Sequence, residues 1–339
     1  MARAEESIHR YVYNAWYLGA EYYSLPINLL MTECLIPTGT IFDDDRFKKA
    51  IADTENKNDA RVFLDITRLL VPPVASVAMI HDSRLEILTQ SVNEGWENCF
   101  PLLDIAVRPQ PDYAVGFERS AIEEDRLQKL RSFVGYEPSS CHSQLMATDY
   151  MFFPFLTCEV KCLNAVLAIA SRQNAHSMAI AVRGIALIFK LAGRLKDLHG
   201  RVLTFSISHN PHWVNLDGWY ILIDEGGEGY SIHCHFIHAL HIMGKDGEER
   251  WTTRRFTLGV YQYAIEFLKE INAVIDELPE DLNLESLKAP IQPASRRPSR
   301  SMTPHLQPST RGLVQALESQ SLTEEEPLVD DLQSKRRKT

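Results

Sequence analysis

The spacing of apolar and polar positions predicts helices and strands in a mixed order. Apolar residues that recur every three or four positions predict helices over 58–73, 83–99, 120–135, 164–195 and 256–279. Apolar runs bounded by turn residues predict strands over 111–117, 150–162, 201–210, 213–224 and 229–240. Helices and strands interleaved in this way indicate a mixed α/β domain with one central sheet.

Residues with known preferences for helix ends refine two of these helices. Asp59 is the expected cap of the first helix, and Pro72-Pro73 is expected to end it. Ser120 is the expected cap of the third helix, with Glu123 at the capping-box position.

Composition divides the chain into three predicted parts. Residues 1–50 are rich in aromatic side chains and are expected to dock on the body or to form a dimer contact. Residues 51–288 carry the predicted domain. Residues 289–339 are rich in Pro, Ser and Arg with few large apolar residues, so they are predicted to be disordered.

Charge and localisation signals bear on possible partners. The formal net charge is −10, which counts against an extended nucleic-acid surface but allows a local basic groove or a divalent-metal site. The basic run Lys335–Lys338 favours the nucleus over the cytoplasm, although it also fits a solvated terminus. No run of 18 or more apolar residues occurs, so no membrane span is expected.

Two predicted strands carry ionisable residues among apolar ones. Because strand side chains alternate between faces, Glu159 and Lys161 share one face of the strand over 150–162. In the strand over 111–117, Asp112 shares a face with the small residues Ala114 and Gly116. If these strands are neighbours, Asp112 and Glu159 converge beside Lys161. Two close carboxylates repel unless they share a proton or a cation, and Mg²⁺ prefers oxygen ligands of this kind.

These residues carry a resemblance to a known motif. Pro111-Asp112 followed by Glu159-Val160-Lys161 resembles the PD-(D/E)XK nuclease motif. Four blocks further resemble a family of uncharacterised fungal proteins assigned to that nuclease-like fold: RPQPDYAVGF, FPFLTCEVKC, RQNAHSMAIAVRG and FSISH. The resemblance runs from about residue 59 to residue 282. It implies a PD-(D/E)XK restriction-endonuclease-like core over 51–288, with a mixed central sheet flanked by helices.

The resemblance implies a role for each matching position on the strands. Asp112 and Glu159 would bind Mg²⁺ or Mn²⁺, and the Val160 carbonyl would add a third ligand. Lys161 would orient or activate the attacking water. The alternative for Glu159 and Lys161 is a structural salt bridge within the sheet.

Helical residues complete the implied site. The resemblance implies an acid on the helix before the first strand, for which Glu94 is the candidate, with Glu97 behind it. Gln173 resembles a glutamine found near such sites. Arg172 and His176, at positions i and i+4 of the long helix, are expected to line the same groove and contact phosphate.

Two functions remain open at this point. The first is a metal-dependent nuclease, with DNA preferred to RNA as the expected substrate. The alternative is a catalytically inactive nuclease-fold domain that acts as a binding or scaffolding module. A basic rim holding Arg172, Arg183 or Arg201 would favour the nuclease, and an acidic rim would favour the module. The oligomeric state is left open.

Histidines supply two weaker signals. His209 and His212 follow the strand over 201–210 and are candidates for the same groove. His233 and His235 share a strand face and could chelate zinc, but a matching second ligand pair is missing from the sequence. Half-exposed strand histidines are the simpler interpretation of the second pair.

Overall fold

The computed structural model describes residues 12–14, 29–30, 32, 36–44, 46–102, 108–134, 142–227 and 229–279. All of them belong to one unit of the chain, residues 1–284. Most of the predicted aromatic lead lies outside the described residues. The predicted tail, 289–339, lies wholly outside them, together with its basic run Lys335–Lys338.

The strands form one mixed sheet. They are β1 (Val12–Asn14), β2 (Leu88–Val92), β3 (Tyr113–Phe117), β4 (Phe152–Val160), β5 (Val202–His209), β6 (Trp213–Ile223) and β7 (Tyr230–His241). Six of them lie side by side in the order β7-β6-β5-β4-β3-β2, and the short β1 pairs with β7 at its edge. β4 and β5 are parallel, as are β1 and β7, whereas the other neighbours are antiparallel.

Seven α-helices surround the sheet within the described ranges. They are α1 (Phe47–Thr54), α2 (Asp59–Val62), α3 (Arg68–Leu70), α4 (Val74–Ile80), α5 (Glu124–Val134), α6 (Leu167–Leu191) and α7 (Thr252–Asp276). A π-helical turn, Phe63–Thr67, joins α2 to α3. Short 3₁₀ turns cover Ser83–Ile87, Arg119–Ala121, Leu195–Leu198 and Gly244–Trp251.

Helices cover both faces of the sheet. On one face, which we call the α6 face, the Thr157 hydroxyl of β4 donates to Asn174 of α6. On the opposite face, the α7 face, the Tyr113 hydroxyl of β3 accepts a hydrogen bond from the Val74 amide at the start of α4. Tyr261 of α7 contacts the same hydroxyl at 3.4 Å. The sheet is therefore the middle of three layers, which is the mixed α/β fold with flanking helices that the sequence predicts.

The central strands are buried on both faces. Every residue of β3 and β4 is buried, because α6 covers one side and α4 and α7 cover the other. Any charged side chain on these strands must therefore have a partner close by. Glu159 on β4 is such a side chain.

The helix predicted over 58–73 is present, but its cap differs from the prediction. Asn58 caps it, with its side chain accepting a hydrogen bond from the Arg61 amide, and Asp59 is the first helical residue. The segment Asp59–Ile80 is long and apolar enough by composition to cross a membrane. Its apolar residues Val62, Ile66 and Leu70 lie in the hydrophobic core, which accounts for that composition here.

The helix predicted over 83–99 is wrong. The segment forms the 3₁₀ turn, the edge strand β2 and a loop that starts at Asn93, whose φ is +47°. Leu85 and Leu88 are both buried and stand three residues apart, a spacing that also occurs in helices. Antiparallel pairing with β3 nevertheless makes the segment from Leu88 a strand. Ser120 is also not a helix cap, because it lies in a 3₁₀ turn and α5 begins at Glu124.

Gly116→Ala should destabilise the fold, because a Cβ there has no room. It would lie 2.5 Å from the Met151 Cγ and 2.7 Å from the Phe152 carbonyl oxygen. We expect a loss of about 1–3 kcal/mol in the free energy of unfolding, measured by urea denaturation. The matched control is Gly226→Ala, whose Cβ would meet nothing closer than 3.7 Å. Equal stability of the two variants would contradict the packing described for β3.

Candidate functional site

Asp112 and Glu159 meet at the adjoining ends of β3 and β4. The antiparallel register pairs Tyr113 with Cys158 and Ala114 with Thr157. One step further along places Asp112 opposite Glu159 on the α6 face, and the two carboxyl groups share a hydrogen bond. The Val160 amide also donates to the Asp112 Oδ2 at 2.7 Å. The structure thus brings the two predicted carboxyl groups together.

The surroundings of the pair favour the protonated form of Glu159. Glu159 is only 2% exposed. Burial, followed by the negative charge of Asp112, raises the pKa of Glu159 to about 8. Burial also raises the pKa of Asp112, but the amide of Val160 and the ammonium of Lys161 favour its ionised form. The proton therefore resides on Glu159, which donates it to the Asp112 carboxylate.

Lys161 lies beside the pair. Its side chain is 12% exposed, and its ammonium lies 3.8 Å from the Glu159 Oε2. The same ammonium donates to the Val160 carbonyl at 2.9 Å, and the Lys161 amide donates to the His209 carbonyl at 2.9 Å. The distance to Glu159 is longer than a hydrogen bond, so the lysine places a positive charge near the glutamate without donating a hydrogen bond to it.

Asp59 is a third carboxylate near the pair, and the sequence analysis missed it. As the first residue of α2, it accepts a hydrogen bond from the Cys162 amide, just after β4 ends. Its negative charge contributes to the raised pKa of Asp112. Because Asn58 takes the capping role, the Asp59 carboxylate is available at this end of the sheet. The sequence signal for this was the Asn58-Asp59 dipeptide. Either residue can cap a helix, so if Asn58 is the cap, the Asp59 side chain can have another partner.

The acids proposed for the preceding helix do not lie on a helix. Glu94 and Glu97 lie in the loop after β2, and the Glu94 carboxylate accepts a hydrogen bond from the Tyr150 hydroxyl. The reason is the edge strand described above, which ends at Val92. In this structure the helix-borne acid near Asp112 is Asp59.

α6 presents Asn174 to the sheet, and not Gln173. Gln173 and Arg172 are exposed, whereas Asn174 is fully buried. The Asn174 Nδ2 donates to the Ile207 carbonyl and the Ser208 Oγ, both at 2.9 Å. Its Oδ1 accepts from the Thr157 Oγ1 at 2.6 Å. These bonds tie α6 to β4 and β5, where Ser208 is paired with Glu159.

The remaining predicted basic residues have other roles or surroundings. Burial, with a contribution from the charge of Arg183, lowers the pKa of His176 to about 4, so its imidazole is neutral near pH 7 and adds no charge for a phosphate. Arg183 is buried and donates to the carbonyls of Phe100 and Pro101. Arg201 pairs with Glu270 at 2.7 Å. Of the three arginines considered for the rim, only Arg172 is exposed.

The histidines considered from the sequence lie at different places. His209 is fully buried on the α7 face, where its Nε2 lies 2.9 Å from the Thr67 Oγ1, so it does not line a groove. His212 pairs with Glu55 at 2.9 Å. His233 is buried and bonded to Ser231 at 2.7 Å, so it differs from the half-exposed histidine expected, whereas His235 is half-buried.

The donor groups at the strand ends are oxygens. They are the carboxyl groups of Asp112, Glu159 and Asp59 and the carbonyl of Val160, a set whose chemistry suits a hard divalent cation. In the part of the chain that the structure describes, no three His, Cys, Asp or Glu side chains stand in a ready-made metal arrangement. Binding of a cation would therefore require loss of the proton between Asp112 and Glu159 and movement of the carboxylates toward the ion.

Comparison with protein families now adds one finding. A family model described as a domain of unknown function, DUF7924, matches residues 46–275. The chain belongs to this family. No curated protein matches it. The match spans α2, β3, β4 and α6, so the DUF7924 domain contains the whole candidate site. The expectation of an uncharacterised family is met, whereas the nuclease-like fold and the fungal origin remain predictions.

The raised pKa of Glu159 predicts that the metal-free protein loses stability as the pH rises. The folded chain binds a proton that the unfolded chain releases near pH 4.5, so the free energy of unfolding falls from about pH 4.5 to about pH 8. Glu159→Gln keeps a hydrogen-bond donor without the titration. It should reduce that fall by on the order of 3 kcal/mol or more, which is the contribution of Glu159. Urea denaturation in EDTA at about pH 5 and about pH 8 measures it.

Glu94→Gln is the matched control for this experiment. Its carboxylate lies in a loop contact with Tyr150, so the variant should retain the pH dependence of the wild type. Asp217, whose pKa burial raises to about 7, titrates in every variant and cancels in the comparison. A Glu159→Gln variant with the same pH dependence as the wild type would show that the proton is not held at this pair.

Proposed function

We propose that this DUF7924 domain is a PD-(D/E)XK-like, metal-dependent nuclease that hydrolyses phosphodiester bonds, with DNA as the expected substrate. The observation that carries the proposal is the hydrogen-bonded pair of half-buried Asp112 and buried Glu159, flanked by Lys161, at the ends of neighbouring strands. A structural role alone does not require two carboxyl groups to be buried against each other, because such an arrangement costs stability when both ionise.

The oxygen donors at the strand ends are of the kind that a hard divalent cation prefers. Asp112 and Glu159 would hold Mg²⁺ or Mn²⁺, with the Val160 carbonyl and Asp59 as further oxygen donors. When bound, such an ion supplies positive charge to a phosphodiester and lowers the pKa of water. The protein's own part is to direct both carboxyl groups to one point, and the Val160 amide and the Lys161 ammonium favour the ionised form of Asp112.

Lys161 is the residue we assign to the attacking water. Its ammonium donates to the Val160 carbonyl and lies within 4 Å of Glu159, so it is held beside the carboxyl pair. A lysine in this position can orient a water molecule through its N–H donors and stabilise the negative charge that develops on phosphate. Arg172, exposed on α6, is the candidate for a phosphate contact.

The second candidate function is a non-catalytic binding module of the same fold. Two observations favour it. The chain carries a net charge of −10, and Arg183 and Arg201 are engaged with partners within the fold. An acidic surface repels the backbone of nucleic acids, so affinity for a substrate would depend on the metal and on contacts with the bases.

Asp112→Asn and Lys161→Met should each abolish cleavage of DNA in Mg²⁺ or Mn²⁺. We expect a loss of at least about 100-fold in rate, because each removes a charge that acts directly on the reacting groups. Linear and circular DNA and RNA, followed by gel electrophoresis, provide the assay. Glu94→Gln is the control and should cleave like the wild type.

Thermal unfolding of each variant separates loss of chemistry from loss of folding. If the folded wild type cleaves none of these substrates with either metal, the nuclease proposal fails and the binding module takes its place. If it cleaves and folded Asp112→Asn cleaves equally well, the assigned site is wrong.

A further inference from the structure

Three aromatic rings meet at the start of β6, close to the carboxyl pair. The rings of Trp213 and His241 lie edge to face, with centroids 4.8 Å apart and planes at 81°. The rings of His212 and His241 lie 5.5 Å apart. Trp213 is 49% exposed, whereas the other described tryptophans, Trp96, Trp219 and Trp251, are buried.

The turn before β6 holds Trp213 in place through its backbone. The Asn210 Oδ1 accepts hydrogen bonds from the amides of His212 at 2.9 Å and Trp213 at 2.8 Å. The Asn210 amide donates to the Trp213 carbonyl at 3.0 Å, and Glu55 holds the His212 ring. None of these bonds uses the indole, so a large ring is presented to solvent on a fixed support.

The strand register places this cluster on the same face as the carboxyl pair. Glu159 is paired with Ser208 on β5, and Ser208 is paired with Asn215 on β6. Trp213 is two residues from Asn215 and shares its face. Trp213 is two strands away from Glu159, across β5, and two residues along β6. Its backbone therefore lies roughly 12 Å from that of Glu159. A nucleic-acid strand that reaches the carboxyl pair can span this distance with a few nucleotides.

The surroundings of the cluster favour a base over a phosphate. Glu55 lies against His212, so a phosphate would meet a negative charge there. Burial lowers the pKa of His241, so its ring is neutral near pH 7 and offers aromatic surface without charge. Stacking on an aromatic ring is sequence-tolerant, because every base has a π-face, and it does not require a basic surface. This suits a chain with an excess of acidic residues.

We propose that Trp213, supported by His241, is a stacking surface for an unpaired base of a single-stranded segment of the substrate. The proposal rests on the proposed function in one respect, namely that the bound strand continues to Asp112 and Glu159. The substrate class is then single-stranded nucleic acid, or a duplex with an unpaired end, and stacking supplies affinity at this end of the sheet.

The test is binding of a fluorescently labelled oligothymidylate to the full chain in EDTA, followed by anisotropy. Trp213→Ala should weaken binding by about 5- to 150-fold, the range for loss of one base–aromatic stack. Trp213→Phe keeps a ring and should bind within about threefold of the wild type. Met79→Ala removes a side chain that is 84% exposed on α4, on the other side of the sheet, and should have no effect.

Quenching of tryptophan fluorescence gives a second measurement in the same titration. Oligothymidylate should quench the wild type, and Trp213→Phe should lose most of that quenching while it retains binding. If folded Trp213→Ala binds within twofold of the wild type, or if the wild type does not bind oligothymidylate, the stacking surface is refuted. A blunt duplex of matched length should be less sensitive to Trp213→Ala than the single strand.

Binding without metal and cleavage with metal keep the two proposals separate. Cleavage by the wild type, with unchanged oligothymidylate binding by Trp213→Ala, would overturn the stacking surface and leave the nuclease in place. Weakened binding by Trp213→Ala, without cleavage by the wild type in Mg²⁺ or Mn²⁺, would support the stacking surface as part of a binding module and overturn the nuclease.

Discussion

The hydrogen bond between the carboxyl groups of Asp112 and Glu159 is the interaction on which the proposed site depends. Asp112 and Glu159 face each other because β3 and β4 pair in antiparallel register. Glu159 is buried because helices cover both sides of β4, whereas Asp112, just before β3, is half-buried. A pair of this kind is stable with one proton or with one cation, but not with two free negative charges. The nearby groups fit either state, since the Val160 amide and the Lys161 ammonium favour an ionised Asp112.

Side chains from two helices link the elements that surround the pair. Asn174 crosses from α6 to bind β5 and accept from β4, and it fixes the two parallel strands next to Glu159. Asp59 brings a third carboxylate from the start of α2 by bonding to the chain just after β4. Three layers therefore meet at one end of the sheet. Because the whole chain is acidic, the proposed binding of a nucleic acid would depend on local features. These are Lys161, the exposed Arg172 and the aromatic rings at β6.

Much of this arrangement could be predicted from the sequence, and the failures have definite physical causes. The alternation within FLTCEVKC and PDYAVGF gave the face of each strand that carries Glu159 or Asp112, because the side-chain period of a strand is fixed at two. That the two strands are neighbours was an assumption, which the pairing of β3 with β4 confirms. The helix predicted over 83–99 failed because β2 is held by pairing with β3, a long-range interaction that spacing within the segment does not reveal. On α6, one position decides between exposed Gln173 and buried Asn174, a rotation of about 100°. Because α6 has apolar residues on most sides, its sequence pattern does not show which of the two residues faces the sheet. Asp59 was overlooked because Asn58 and Asp59 are equally good caps.

The most direct test of the shared proton is calorimetric titration of the purified protein with Mg²⁺ at about pH 7, in two buffers with different ionisation enthalpies. If the cation replaces the proton between Asp112 and Glu159, binding should release about one proton per ion, and Asp112→Asn should not bind. Magnesium binding without proton release, or binding that survives folded Asp112→Asn, would contradict the account. Absence of binding at millimolar Mg²⁺ and Mn²⁺ would make the pair a structural hydrogen bond and not a metal site.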